Sequence, residues 1–196
     1  MKKVFVALIF FTLVAGGMMY VLHRREKASS RPAVPPKHAE KGHERPVPAP
    51  APIPVMVADT ILIEKKARRL TLFRDGKPIR KFKVSLGFEP EGKKNMEGDG
   101  KTPEGCYIID YRNENSKFYR ALHISYPNKE DRRQAAELGV SPGSDIMIHG
   151  LKNGFGWIGK RHLIRDWTQG CVAVSNREMD EIWRLVPIGA KVQIVP

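Results

Sequence analysis

Cysteine is scarce in this 196-residue chain, which has only two, Cys106 and Cys171. Two cysteines are too few for a disulfide-rich fold, and their spacing is not that of a C-x-x-C motif. The histidines show no H-x-x-x-H spacing either, so the sequence predicts no metal site and no other cofactor. Cys106 begins an apolar run and is predicted to be a small core residue. A disulfide between the two cysteines stays open as an alternative.

Acidic residues are outnumbered, because 34 Lys and Arg stand against 21 Asp and Glu, a net charge of +13. Residues 1–58 account for +6 of that charge and residues 59–196 for +7. No RNP sequence, zinc spacing or recognition-helix pattern accompanies it, so nucleic acid is not an expected partner. A solvated surface explains a moderately basic domain, and a basic face would also suit an anionic polymer.

Charge is absent from residues 4–22, which are flanked by basic residues on both sides. A helix of this length matches a hydrocarbon layer about 30 Å thick. This apolar segment is longer than the apolar core of a typical cleaved signal peptide, and residues 18–21 at its C-terminal end are too bulky for a typical cleavage site. We therefore predict an uncleaved transmembrane signal anchor over residues 1–23, with a cleaved signal peptide and a buried core helix as the alternatives.

Residues 24–58 lack apolar periodicity and are rich in proline and alanine. Such a composition cannot bury enough surface to order itself, and its prolines favour extended polyproline II. We predict a disordered linker that acts as a spacer, and an SH3-type ligand is the alternative.

Residues 59–196 are long enough for one domain with its own core. A helix is predicted over residues 129–138, and another begins at the Ser175–Glu178 capping box. Many short strands with few helices predict a mostly β fold (α+β), built as a barrel or sandwich. Residues 151–167 have no clear period and are interpreted as a lid or wall. The predicted strands cover residues 60–64, 69–73, 79–86, 106–111, 122–125, 146–149, 171–174 and 191–195.

The strongest chemical signal is a pair of motifs, I-M-I-H-G at residues 146–150 and W-T-Q-G-C at residues 167–171. They place His149 and Cys171 at the ends of two apolar runs. A thiol is a nucleophile only as thiolate, and a neighbouring imidazole is a common way to generate that form. The other histidines of the domain carry weaker signals: His123 is an intermediate candidate, and His162 is assigned to the lid.

These residues resemble the YkuD-type L,D-transpeptidase catalytic domain of bacterial cell-wall enzymes. The signature of that family is a His-Gly followed, some fifteen or more residues later, by Ser/Thr-His-Gly-Cys. His149-Gly150 and the T-Q-G-C of residues 168–171 are similar to it. V-S-L-G at residues 84–87 and G-D-G-K-T-P-E-G at residues 98–105 also look like family segments, so the resemblance covers essentially the whole domain.

Two positions depart from the family pattern. Gln169 stands where the family has a second His, and Ala173 where it has an Arg. The form W-T-x-G-C looks like the YafK subgroup, whose members include cell-wall hydrolases. The departures weaken any expectation of the standard cross-linking reaction.

The resemblance implies an enzyme of peptidoglycan in which Cys171 attacks the L-centre of diaminopimelate in a stem peptide and His149 moves the proton. The amides around Gly170 and Cys171 would stabilise the oxyanion. Weaker candidates for oxyanion or substrate contacts are Thr168, Gln169, Gly150, His123, Tyr126 and Trp167.

Transpeptidation and hydrolysis both stay open at this point, the latter as L,D-carboxypeptidase activity or as release of a peptidoglycan-bound lipoprotein. A non-catalytic, anchored wall-binding module is the alternative from another class. With the anchor, the resemblance implies a single-pass protein of the inner (cytoplasmic) membrane whose catalytic domain lies in the periplasm.

Overall fold

The structure, a computed structural model, describes residues 57–196. The predicted anchor over residues 1–23 and nearly all of the predicted linker lie outside the described residues. Within residues 57–196, no helix combines the length and the apolar character needed to cross a membrane.

The described chain forms eight strands, two α-helices and one 3₁₀ segment, so the predicted mostly β fold with few helices is confirmed. The strands are β1 (Thr60–Glu64), β2 (Arg69–Arg74), β3 (Lys77–Lys83), β4 (Gly105–Ser116), β5 (Tyr119–Ile124), β6 (Met147–His149), β7 (Val172–Ala173) and β8 (Lys191–Val195). The helices are α1 (Lys129–Glu137) and α2 (Asn176–Leu185), and the 3₁₀ segment covers Gly156–Ile164.

The strands join in one open sheet with the order β3-β2-β1-β8-β4-β5-β6-β7. The predicted barrel or sandwich is therefore wrong, because the strands form a single sheet whose terminal strands, β3 and β7, do not pair with each other. Isolated bridges from Ser85 to Ala173 and from Gly87 to Thr168 bring the chain after β3 beside β7. They form no continuous ladder, since β7 is only two residues long.

The core lies where the alternating apolar side chains of the sheet meet α2. Ile61 and Ile63 of β1 are fully buried, and so is Leu122 of β5. The capping box of Ser175 and Glu178 begins α2, whose buried Met179 and Ile182 belong to the same apolar cluster. This packing fixes the middle of the sheet and, with it, the strands that carry the two motifs.

Cys106 faces solvent in β4, so its predicted place in the core is wrong. The alternation of the strand explains the error, because Tyr107 and Ile109 take the buried positions. Both cysteines are free thiols, which contradicts the disulfide alternative.

Candidate active site

The register of β6 and β7 brings the two motifs together. The strands are parallel, with Ile148 opposite Val172 and His149 opposite Ala173. Ile148 and Val172 are buried in the core. Since side chains alternate along a strand, His149 and Cys171 project from the opposite face. The structure thus places the predicted base and nucleophile on one face of the sheet, with Cys171 two residues before Ala173, the residue opposite His149.

Thr168 shapes the loop that presents Cys171. Its hydroxyl donates to the carbonyl of Cys171 at 2.7 Å and accepts from the amide of Gly170 at 3.1 Å. The residue is only 4% exposed. Thr168 is therefore a loop-building residue, and its prediction as a substrate contact is wrong. The Gly170 amide, one of the two predicted oxyanion donors, is already used in its hydrogen bond to the Thr168 hydroxyl.

Gly170 is required where the loop crosses the segment that follows β3. Its φ is +130°, and a Cβ would lie 2.6 Å from the carbonyl oxygen of Lys101. The neighbouring Gly87 is as tightly packed, because a Cβ there would lie 2.0 Å from the carbonyl oxygen of Gly100. The segments of residues 84–87 and 98–105, both noted in the sequence, therefore pack against the nucleophile loop (residues 167–171).

The thiol of Cys171 is partly buried at the end of this loop. Its Sγ lies 3.5 Å from the carbonyl oxygen of Asp145, to which it donates. Burial raises the pKa of the Cys171 thiol, and the Asp145 carboxylate acts in the same direction. The resting side chain is a neutral thiol.

His149 is held as a neutral base. Its ring is 4% exposed, and its Nδ1 donates to the carbonyl of Gly150 at 2.6 Å, which leaves the lone pair on Nε2. Burial lowers the pKa of His149 to about 4, although the Gly150 bond opposes the shift. No hydrogen bond joins His149 to Cys171 in the described chain, so the resting pair is thiol and imidazole rather than thiolate and imidazolium.

Two aromatic rings enclose the imidazole. The Phe118 ring lies 4.7 Å from that of His149, and the Trp167 ring meets it edge-on at 5.8 Å. The indole N–H of Trp167 is buried and has no hydrogen-bond partner within residues 57–196. Trp167 was predicted at the site; Phe118 was missed, because it lies in a polar turn with no motif around it.

His123 lies on β5, the strand next to β6. It pairs with Met147, which is two residues before His149, so His123 projects from the same face of the sheet as His149. Its Nδ1 lies 2.6 Å from Asp110 Oδ1, and its ring stacks on Tyr111 at 4.4 Å. This Asp110–His123 pair is a second polar group on the face of the sheet that carries His149. The sequence indicated the histidine but not the aspartate.

Tyr126 is not placed to contact substrate, so that prediction is wrong. The residue is 3% exposed, and its hydroxyl donates to the carbonyl of Pro142 at 2.8 Å. Gly150 is buried as well, where a Cβ would lie 2.8 Å from Asn176 Oδ1. Gln169 is exposed in the nucleophile loop and stays a predicted contact.

His162 lies inside the protein rather than on a lid. It is 8% exposed, and its Nδ1 lies 3.0 Å from Ser85 Oγ, which itself donates to the carbonyl of His162. Burial lowers the pKa of His162. No sequence period signals this contact, because the 3₁₀ segment has none. Within residues 57–196, no three His, Cys, Asp or Glu side chains are grouped to hold a metal ion.

Replacing Thr168 with valine is expected to destabilise the domain by about 1–3 kcal/mol, because it removes two hydrogen bonds and leaves the buried Gly170 amide unpaired. Denaturant unfolding measures the effect. Thr168→Ser, which keeps the hydroxyl, is the matched control. A valine variant as stable as the wild type would contradict the role given to this hydroxyl.

Comparison with known proteins identifies the family of this domain. Residues 58–194 match the family model of the YkuD L,D-transpeptidase catalytic domain. The chain is also 34% identical, over 99 residues, to the Escherichia coli K12 protein named "Putative L,D-transpeptidase YafK". That alignment covers 48% of this chain and 32% of YafK, so it spans about a third of the length of that curated relative.

Two solved structures share the fold. The helical cell shape determining protein Pgp2 of Campylobacter jejuni aligns with a TM-score of 0.55 and 26% identity, over 70% of this chain and 47% of Pgp2. Bd1075 of Bdellovibrio bacteriovorus aligns with a TM-score of 0.50 and 24% identity, over 72% and 51% of the two chains. Because the family model extends over nearly all of the described residues, the chain belongs to the YkuD L,D-transpeptidase catalytic domain family.

Proposed function

We propose that this protein modifies peptidoglycan by cysteine acyl transfer. Cys171 would attack the carbonyl at the L-centre of diaminopimelate in a stem peptide and form a thioester. The observation that carries the proposal is the shared face of His149 and Cys171 in a domain of this family. The free Nε2 of His149 supports the role of a base.

The proton follows a closed path in this mechanism. Nε2 of His149 takes the proton of the Cys171 thiol as sulfur attacks the carbonyl carbon. The tetrahedral intermediate collapses, the C–N bond breaks, and the imidazolium returns the proton to the leaving amine. Because Gly170 uses its amide within the loop, the amide of Cys171 is the proposed oxyanion donor of this pair.

The second substrate is an amine or water, which gives transpeptidation or hydrolysis respectively. Ala173 is fully buried beside His149, so its position offers no side chain to bind a substrate carboxylate. This observation favours hydrolysis, either trimming of tetrapeptides or release of a peptidoglycan-bound lipoprotein. A role in cell shape, as in the name of the Campylobacter protein, belongs to the same proposal.

The deciding experiment gives the purified full chain tetrapeptide muropeptides and a lipoprotein-linked muropeptide, and weighs the products by mass spectrometry. Tripeptides or freed lipoprotein fragments would establish hydrolysis, and cross-linked dimers would establish transpeptidation. Unchanged substrates under all conditions would refute the proposed function. The inner-membrane anchor and the periplasmic location stay proposals, tested by fractionation and protease access.

The Asp110–His123 pair is proposed to orient the bound stem peptide. Asp110→Asn is expected to lower kcat/KM about tenfold, because the imidazole loses the carboxylate that fixes its tautomer. His123→Gln should have a similar effect, and the double variant should be no worse than either single one. Additive losses in the double variant would show that Asp110 does not act through His123.

A further inference from the structure

A basic groove of about 520 Å³ lies next to the chain that leads into the nucleophile loop. The β1–β2 turn, the end of β3 and residues 163–166 form its walls. The residues that matter here are Lys66, Arg68, Lys83, Ile164, Arg165 and Asp166. His149 and Cys171 do not line it, so the groove is separate from the proposed catalytic pair.

The charges of the groove are unbalanced. Its lining contains four cationic residues and one aspartate, which leaves a net charge of +3. Arg68 and Asp166 neutralise each other through a 2.7 Å ion pair. The other three cations, Lys66, Lys83 and Arg165, are exposed and form no ion pair within residues 57–196. Three like charges around one concavity repel one another unless an anion lies between them.

The shape indicates what kind of anion fits. A bilayer surface reaches convex parts of a protein, whereas a concave groove admits a chain or a side group of a polymer. A single exposed ion pair raises affinity only a few-fold and is screened by salt. Several such pairs on one polymer combine, because after the first contact the others form at high effective concentration.

A short piece of chain connects the groove to the catalytic site. Arg165 lines the groove, Asp166 accepts from the Leu86 amide at 2.8 Å, and Trp167 packs beside the His149 ring. Two residues of chain span at most about 7 Å, so Arg165 on the wall of the groove lies within that distance of Trp167, which packs beside His149. A polymer strand is long enough to bridge that separation.

We propose that the groove binds the carboxylates of a further stem peptide on the peptidoglycan strand being modified. The identity of the polymer rests on the proposed function, whereas the preference for a carboxylate polymer rests on the charge and shape of the groove. The contact would keep the strand near Cys171 between turnovers. It would act on retention of the polymer, not on the acyl-transfer step.

Binding to insoluble peptidoglycan tests this. The full chain carrying Cys171→Ala, so that no turnover is needed, is incubated in mild non-ionic detergent with sacculi freed of protein and of phosphate polymers. The groove variant adds Lys66→Gln, Lys83→Gln and Arg165→Gln. The matched control adds Lys77→Gln, Lys129→Gln and Arg184→Gln, three exposed cations outside the groove. A parallel set uses sacculi whose carboxylates have been amidated.

The groove variant is expected to bind native sacculi about tenfold more weakly at low salt, and the control variant to bind as well as its parent. Amidation should weaken the parent to the level of the groove variant and leave the groove variant unchanged. Equal binding by parent and groove variant, or a difference that survives amidation, would overturn the proposal. Because the assay needs no catalysis, the groove can prove to bind peptidoglycan even if the muropeptide assay detects no product. Conversely, the muropeptide assay can detect product even if the groove variant binds sacculi as well as its parent.

Discussion

Replacing Cys171 with alanine is expected to abolish turnover of stem peptides, a loss of at least about 10³-fold in kcat, while the domain stays folded. The proposed thioester cannot form without the sulfur, and no other cysteine lies near His149, since Cys106 is exposed on β4. Mass spectrometry of muropeptide products measures the loss. Circular dichroism and thermal unfolding check the fold of the variant.

Cys106→Ser is the matched control for this substitution. It removes a thiol that is exposed and free, so activity and stability should both match those of the wild type. A thiol-directed probe or a carbapenem should label Cys171 in the Cys106→Ser variant and nothing in the Cys106→Ser/Cys171→Ala double variant, which has no thiol. Full activity of Cys171→Ala would refute the mechanism, and an unlabelled Cys171 would favour a non-catalytic wall-binding module.

The parts of the fold that the sequence predicted are those set by local physics. The Asp75-Gly76 turn between β2 and β3 takes positive φ at both residues, as the pair indicates. The capping box at Ser175 begins α2 where the motif places it. Short-range preferences decide such features, so one sequence is enough to find them.

The parts that the sequence missed depend on contacts between distant segments. The open sheet follows from the two-residue length of β7 and from single bridges at Ser85 and Gly87, which no local pattern signals. The burial of His162 depends on Ser85, 77 residues earlier in the chain. Tyr126 was misassigned for the same reason, because the partner of its hydroxyl, Pro142, lies across a helix.

The site itself was half predictable. Two motifs indicated His149 and Cys171, and the parallel pairing of β6 with β7 places both on one face of the sheet, while their catalytic roles stay predictions. Their protonation could not be derived from the motifs. A histidine next to a cysteine suggests an ion pair, but burial favours the neutral form of both groups. Charge separation therefore has to accompany attack on the substrate rather than precede it.

That protonation state makes His149→Gln the second decisive variant. Loss of the base is expected to lower kcat about 10²- to 10⁴-fold. In the wild type, the acid limb of kcat/KM should lie near pH 4, where His149 takes up its proton, rather than near 6.5. Initial rates over pH 3.5–8 on protein shown to be folded at each pH measure it. An acid limb near pH 6.5 would contradict the buried neutral imidazole.

The same substitution changes how stability depends on pH. The pKa of His149 is lower in the folded protein, about 4, than the ordinary value of 6.5, so between these values the unfolded chain binds a proton that the native state does not. The wild type should lose about 3 kcal/mol of unfolding free energy as pH falls from 7 to 4 through this group alone. His149→Gln lacks that loss but keeps the loss that comes from His162, whose pKa is also lowered by burial. Denaturant unfolding of both proteins at pH 7 and pH 4 measures how much more unfolding free energy the wild type loses than His149→Gln. Equal losses in the two proteins would mean that His149 is charged or solvated in the native state.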